Sequence, residues 1–379
     1  MLTKLTIGVL LVHQVLSFTI ELTQKGDQRR DNQLQLHDVY AQTILARYDV
    51  FYEADVSVGT PPQVYRVLVD TGSPYFWIPR VDCKNRDSRS THCEPEFQLY
   101  DPKASRTSVQ FKKIFLHEYG VGKVSGIYYE DTFAFGDAKT NSSLRLKRPI
   151  RFGGATNTQY GDQGWQFAYS IDNRLGILGL SLPKKTEFGS SVFDEFVKQR
   201  VISNPIFTIF LRQCGDVAEC KNAGRITLGS VDNQNCGREI GFVNVEPNTF
   251  FWKFKLDELA VGGYKLRYRA SVVVDSGSNA VHLPSNVIRG IAKEIGAEES
   301  GSIYLLPCSV KFNLTIRING HDYTIPGHQL TRQVSRSKCQ LLLSPRDQQP
   351  WILGASMLRT FCVVHDWAKR QLRFTELRV

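Results

Sequence analysis

The chain of 379 residues is short of the signatures that mark most enzyme classes. It has no G-x-S-x-G elbow to present a serine nucleophile and no G-K-[ST] loop to cradle a phosphate. Gly120-Val121-Gly122 opens like a dinucleotide fingerprint, but Ser125 stands where the third glycine belongs and Gly126 comes one place late. His117-Glu118 lacks the second histidine of a zinc helix, and no C-x-x-C pair occurs, so no metal or other cofactor is expected. After the N-terminus no apolar run approaches the roughly 20 residues that span a bilayer, and no membrane anchor is expected.

Long helical periodicity is also scarce. Short runs rich in Val, Ile, Tyr and Phe are punctuated by 29 glycines and 15 prolines, which points to an all-β protein. Short helices are expected from Ser191 to Arg200, where Val192, Phe193, Phe196 and Val197 mark one face, and from Asn286 to Ile295. The length, with 42% hydrophobic residues, suffices for two cores. The net charge of +10 is scattered apart from Arg145-Leu146-Lys147-Arg148 and 265–269, with no nucleic-acid motif beside it. It reads as a solvated basic surface that favours acidic proteins or polyanionic matrix rather than nucleic acid.

What the chain does have is one pattern written twice. Val69-Asp70-Thr71-Gly72-Ser73 and Val274-Asp275-Ser276-Gly277-Ser278 lie 205 residues apart. A single copy is an ordinary turn, since Asp bonds its own backbone and Gly supplies unusual dihedrals. Each copy, however, follows a β-rich run, Val64 to Val69 or Ala270 to Val274, so each Asp leaves the end of a buried strand. Two carboxylates brought face to face cannot both ionise cheaply and share one proton, a case for which aspartic proteases are themselves the standard illustration. The ionised member then acts as general base on a water while the protonated member polarises a peptide carbonyl. Gly72 and Gly277 let the backbone approach, and Ser73 and Ser278 are expected to place a hydroxyl beside each outer carboxylate oxygen.

Around this pair the chain resembles the pepsin-like aspartic proteases, the eukaryotic family of pepsin, cathepsin D and renin. Leu175-Gly176-Ile177-Leu178-Gly179-Leu180 and Trp351-Ile352-Leu353-Gly354 are similar to the segments that flank each active-site loop. His117 to Lys123 resembles the flap, with Tyr119 and Gly120 at its tip and Trp77 as the tryptophan that packs against the tyrosine. Gly59-Thr60-Pro61-Pro62-Gln63, Phe251-Trp252 and Val261-Gly262-Gly263 extend the match to about residues 48–379. The resemblance implies an all-β, bilobal fold with the cleft between two lobes, a first lobe over 48–240 carrying Asp70 and a second over 241–379 carrying Asp275. It also implies a monomeric endopeptidase acting on proteins and peptides, with Asp70 and Asp275 catalytic. Thr71, Gly72, Ser73, Trp77, Tyr119, Gly120, Ser276, Gly277 and Ser278 would then line the substrate.

Pro74, Asn279, Val121 and Lys123 depart from the family's usual residues and bear on subsite preference. Ala355 follows Ile352-Leu353-Gly354 at a place where many members carry an aspartate; renin-like members active near neutrality also carry alanine there, and the resemblance implies a working range of roughly pH 4 to 6. The alternative reading is a catalytically silent peptide-binding member of the same fold, although both Asp, both Gly and the flap tyrosine are present.

Residues 1–17 read as a signal peptide, with Lys4, an apolar core from Leu5 to Val12, and Val15 and Ser17 before the cut. A secreted or lysosomal protein follows, in which Asn141 and Asn313 are glycosylation sequons. The even count of eight cysteines suits disulfides, with 105 possible connectivities. The resemblance narrows these to Cys83 with Cys93, Cys308 with Cys339, a local Cys214 with Cys220, and Cys236 with Cys362, the last like nematode-type members. Residues 18–47 would be a prosegment. From residue 1 to Arg47 the chain carries five basic and four acidic residues, which makes a weak electrostatic latch, so processing at Arg29-Arg30 or Arg47 by another protease is an alternative to self-activation in acid.

Overall fold

A computed structural model describes residues 39–47, 51–85, 99–120, 122–140, 143–160, 176–183, 191–215 and 220–378. The signal-peptide reading, Asn141, Val121 and Cys93 fall outside these residues.

Strands dominate, as the alternating β-rich runs require. The largest sheet begins with Cys236–Asn244, Gln371–Leu377, Cys362–Asp366, Ile206–Leu211, Cys220–Leu228 and Tyr40–Arg47. It continues through Phe51–Val58, Gln63–Asp70, Gly176–Gly179, Phe76–Asn85 and Ile150–Tyr160 to the hairpin Gly122–Asp131 and Val109–Tyr119. The second half adds a five-stranded sheet containing Ala270–Val274 and Trp351–Leu353, and two four-stranded sheets. The C-terminal strands return across the molecule to pair with Ile206–Leu211 and Cys236–Asn244, so one sheet joins both halves of the chain.

The strands that lead into the two aspartates are deeply covered where they approach the loops. Val67 and Val69 are fully buried and Leu68 nearly so, and every residue of Ala270–Val274 is buried, which explains why these runs are continuously apolar rather than alternating. Each lies beside a parallel partner. Gly176–Gly179 pairs with Val67–Asp70, placing Gly179 next to Asp70, and Trp351–Leu353 pairs with Val272–Val274. Trp252, wholly enclosed, donates its indole N–H to the carbonyl of Leu180 at 3.0 Å and ties the second half to the first.

The two expected helices form at Val192–Lys198 and Ser285–Ile295. Ser191 caps the first by accepting from the Asp194 amide, and Val192, Phe193 and Phe196 supply its buried face. The second ends where Gly296 turns left-handed at φ 67° and buries Val287, Ile288 and Ile291. A third helix, Ala355–Thr360, has no amphipathic signal, because Ala355 through Arg359 are all buried.

Tyr40–Arg47, the end of the expected prosegment, is a strand paired on both sides, with Cys220–Leu228 and with Phe51–Val58. Disulfides join Cys214 to Cys220, Cys236 to Cys362 and Cys308 to Cys339 as the resemblance implies, and Cys83 is also disulfide-bonded. Asn313 is exposed at the start of its strand. No helix among the described residues is long and apolar enough to cross a membrane.

The bridge from Cys236 to Cys362 links chain segments 126 residues apart, and both cysteines are buried. Replacing both by alanine should lower stability to urea by about 2–4 kcal/mol on the chain-entropy view, whereas opening the six-residue separation of Cys214 and Cys220 should cost less. Equal losses from the two would show that loop length is not what matters.

Candidate active site

The ends of the two buried strands meet. At each, the carboxylate turns back on its own loop: the Gly72 amide donates to Asp70 Oδ1 and the Gly277 amide donates to Asp275 Oδ1, both at 2.8 Å. The next residue of each loop reaches into the other. Thr71 Oγ1 donates to the Val274 carbonyl and accepts from the Ser276 amide, both at 3.0 Å. In return, Ser276 Oγ donates to the Val69 carbonyl at 2.7 Å and accepts from the Thr71 amide at 3.0 Å. Thr71 and Ser276 were expected among the substrate contacts, but their hydroxyls are occupied by this cross-link and lie buried within it.

The cross-link presses each glycine under the opposite carboxylate. A Cβ on Gly72 would lie 2.6 Å from Asp275 Cγ and from both its oxygens, and one on Gly277 would lie 2.7 Å from Asp70 Oδ1. No side chain fits there, which is why the pattern demands glycine at both places. The parallel neighbours hold the loops from behind: the Leu180 amide donates to the Asp70 carbonyl at 2.7 Å and the Asp275 amide donates to Leu353 at 3.0 Å.

The carboxyls hydrogen-bond one another and are unequal. Burial raises Asp70, but the Ser73 hydroxyl, 2.5 Å from Oδ2, and the Gly72 amide oppose the rise. Asp275 is raised well above the carboxylate range, first by burial and then by the negative charge of Asp70. The Ser73 hydroxyl favours the ionised form of Asp70, so within the pair that shares one proton Asp70 is the member better placed to ionise.

Ser278 corrects an expectation. Its hydroxyl does not sit on Asp275. It donates to the Ala280 carbonyl at 3.1 Å and lies 2.8 Å from His282 Nε2. Ala355 is fully buried, and its amide donates to the Ser278 carbonyl at 2.7 Å. His282 was not singled out from sequence. Burial, aided by the Arg346 guanidinium, pushes its imidazole down to about 4.

Over the first loop closes the hairpin of Val109–Tyr119 and Gly122–Asp131, with Tyr119 opposite Gly122 at its tip and Gly120 exposed in the turn. Trp77 Nε1 donates to the Tyr119 hydroxyl at 2.9 Å. That hydroxyl also bonds Ser73, whose own proton goes to Asp70, so a relay runs from Trp77 through Tyr119 and Ser73 to the carboxylate. Burial first, then the Asp70 charge, raises the tyrosine above its ordinary range and keeps it a neutral donor. His117, also missed, stacks on Tyr75 with centroids 3.6 Å apart and planes at 9°. The strand's alternation held the clue, since Phe115, His117 and Tyr119 all point inward while Ile114, Leu116 and Glu118 point out.

The arrangement is that of a two-carboxylate site under a hairpin, and comparison with known proteins agrees. The family model described as eukaryotic aspartyl protease matches residues 51–377. The chain is 28% identical over 352 residues to aspartic protease 1 of Caenorhabditis elegans, covering 88% of this chain and 84% of that protein. It is 28% identical over 337 residues to pepsin A of Gallus gallus, covering 87% and 85%, and 27% identical over 354 residues to cathepsin D of Chionodraco hamatus, covering 89% and 84%. The chain belongs to the eukaryotic aspartyl protease family, and by class it is an aspartic endopeptidase.

Thr71→Val keeps the shape of Thr71 but removes its hydroxyl, leaving the Ser276 amide and the Val274 carbonyl without their partners. It should lower stability by about 1–3 kcal/mol and reduce kcat by loosening the carboxyl pair. Denaturant unfolding and peptide kinetics would check this, and a variant indistinguishable from wild type in both would show that the cross-link does not position the site.

Proposed function

We propose that the chain hydrolyses internal peptide bonds of proteins by water activated between Asp70 and Asp275. Ionised Asp70 takes a proton from the water as it attacks the carbonyl carbon. Asp275 donates its proton toward the carbonyl oxygen, and the resulting tetrahedral species collapses with proton transfer to the leaving nitrogen. No covalent enzyme intermediate is required. The observation that carries this reading is the cross-braced, hydrogen-bonded carboxyl pair, with Asp70 buried, Asp275 half-buried and the Ser73 hydroxyl donating to Asp70. Tyr119 closes over bound peptide, with Trp77 holding it, while Gly72, Ser73, Gly120 and Gly277 line the substrate. We take the protein to be monomeric and secretory, entering by a signal peptide at 1–17 and destined for the exterior or a lysosome, with glycans on Asn141 and Asn313.

Its working range is proposed as roughly pH 4 to 6 because Ala355 stands where a third carboxylate would lie near the pair, and the directions of the two shifts support it. Activity needs the proton on Asp275 and none on Asp70. A raised Asp275 holds its proton to higher pH, moving the alkaline limb upward, and Ser73's donation to Asp70 keeps the acid limb low.

Processing is the other open step. Arg47 ends a strand held on both sides, so cutting there would release Tyr40–Arg47 from the middle of the large sheet. Cutting after Arg29-Arg30 leaves that strand in place. N-terminal sequencing of the mature protein should find a start between residues 31 and 39, and a start at residue 48 would show that the strand is dispensable.

Asp70→Asn and Asp275→Asn should each lower kcat/KM by a factor of roughly 10² to 10⁴ or more while the protein stays folded. The folded-state pKa of Asp275 is raised, so its stabilising protonated form is complete below the unfolded pKa and lost as pH rises through the folded one. Asp275→Asn should therefore raise the melting temperature at pH 7 and leave it nearly unchanged at pH 3. Substantial cleavage by either variant would sink the assignment and favour a silent, peptide-binding role for the pair.

A further inference from the structure

The two active-site loops repeat each other in sequence and in most of their bonds. Asp70 and Asp275 accept from the glycine two places on, at the same 2.8 Å, and Thr71 and Ser276 exchange equivalent hydrogen bonds. The symmetry breaks at the serine three places on. Ser73 gives its hydroxyl proton to Asp70 at 2.5 Å, whereas Ser278 turns to Ala280 and His282.

The cause lies seven places beyond each aspartate. In the first loop that position is Trp77, whose N–H satisfies Tyr119, and Tyr119 in turn hydrogen-bonds Ser73, whose proton goes to the carboxylate. In the second loop it is His282, which takes Ser278 directly. His282 is set in the strand Val281–Leu283, whose flanking residues are wholly buried, between Ser344 on a parallel neighbour and Ile352 on an antiparallel one. Its backbone is thus held on both sides.

We propose that His282 is a positioning residue that withholds the Ser278 hydroxyl from Asp275, so that only one carboxyl of the pair has a hydroxyl donor and the shared proton is kept on Asp275. This rests on the dyad assignment above and deepens it.

The hydroxyl has one proton, and both states of the histidine direct it elsewhere. With Nε2 unprotonated, Ser278 donates to it. With Nε2 protonated, the ring donates to Ser278 and the serine proton goes to the Ala280 carbonyl. Either way Asp275 lacks the donor that lowers Asp70. The Gly277 and Gly72 amides donate to Asp275 and lower it, but among the described residues no other hydroxyl takes the place of Ser278. Thr71 and Ser276 are committed to the cross-link, Tyr119 acts on the Asp70 side, Arg346 faces His282 and donates to the Pro350 carbonyl, and Asp347 accepts from Ser285 at the exposed strand end.

The test is the alkaline limb of kcat/KM against pH on one fluorogenic peptide, with the full chain produced through a eukaryotic secretory host. His282→Val frees Ser278 to swing onto Asp275 as Ser73 does onto Asp70, and should move the limb toward acid by roughly one pH unit. Adding Ser278→Ala to that variant should restore the wild-type limb. His282→Gln, whose amide reaches toward the position of Nε2, should keep it. Ser278→Ala alone should leave it within about 0.2 unit, since the hydroxyl does not serve Asp275.

An unmoved limb in His282→Val overturns the proposal. So does an upward shift of half a unit or more in Ser278→Ala alone, which remains decisive if the valine variant fails to fold. Asp275→Asn run in parallel separates the two levels: if that variant still cleaves, the dyad assignment falls and this inference with it. If it is dead while the limb stays put, only the role of His282 is lost.

Discussion

Everything at this site depends on the pair of hydroxyls that cross between the loops. Two partly desolvated carboxyls carrying a negative charge would relax apart if the backbone allowed it, because water would hydrate each separately. Thr71 and Ser276 prevent that with four bonds between the loops, each worth about 1 kcal/mol net and costly to leave unmade in a buried setting. The bonds run to backbone groups at the ends of fully buried strands, so the brace is anchored in the rigid part of both halves. The glycines follow from the brace, since holding the loops that close leaves no room for a Cβ beneath either carboxylate.

A symmetric brace carries an asymmetric acid. Two identical carboxyls sharing a proton would have no assigned donor and acceptor, and catalysis would lose the division of labour that general acid and base require. Here the hairpin over the first loop supplies a chain of hydrogen bonds that ends on Asp70, and among the described residues nothing equivalent covers the second. Tyr119 therefore acts on the same carboxyl that Ser73 serves. The stacking of His117 on Tyr75 couples the hairpin to the segment just after that loop, so its movement and the setting of Asp70 share a contact.

The wider fold serves the same end at longer range. A cleft between two halves is only as well defined as their relative position, and here strands of the last twenty residues cross to the sheet of the first half. The disulfide between Cys236 and Cys362 and the hydrogen bond from Trp252 to Leu180 tie that crossing down. Tyr40–Arg47 sits inside this sheet, which makes the boundary of N-terminal processing a structural question.

The β character, the two aspartates, their glycines, the flap and two of the three α-helices among the described residues were legible in the sequence. Each is a local pattern: β-branched runs that bury on both faces, a tripeptide that only a tight turn at a strand end explains, and a one-sided helical stripe. The all-buried helix Ala355–Thr360 left no stripe to read. The pairing of Cys236 with Cys362 came from resemblance, since spacing does not say which cysteines meet. What only tertiary structure decided was the destination of single protons and hydroxyls. Identical Val-Asp-x-Gly-Ser segments imply identical roles for Ser73 and Ser278, yet one serves a carboxylate and the other a histidine. The difference is made by what each loop packs against, a flap tyrosine on one side and His282 on the other, and a hydroxyl turns to whichever partner lies within about 3 Å.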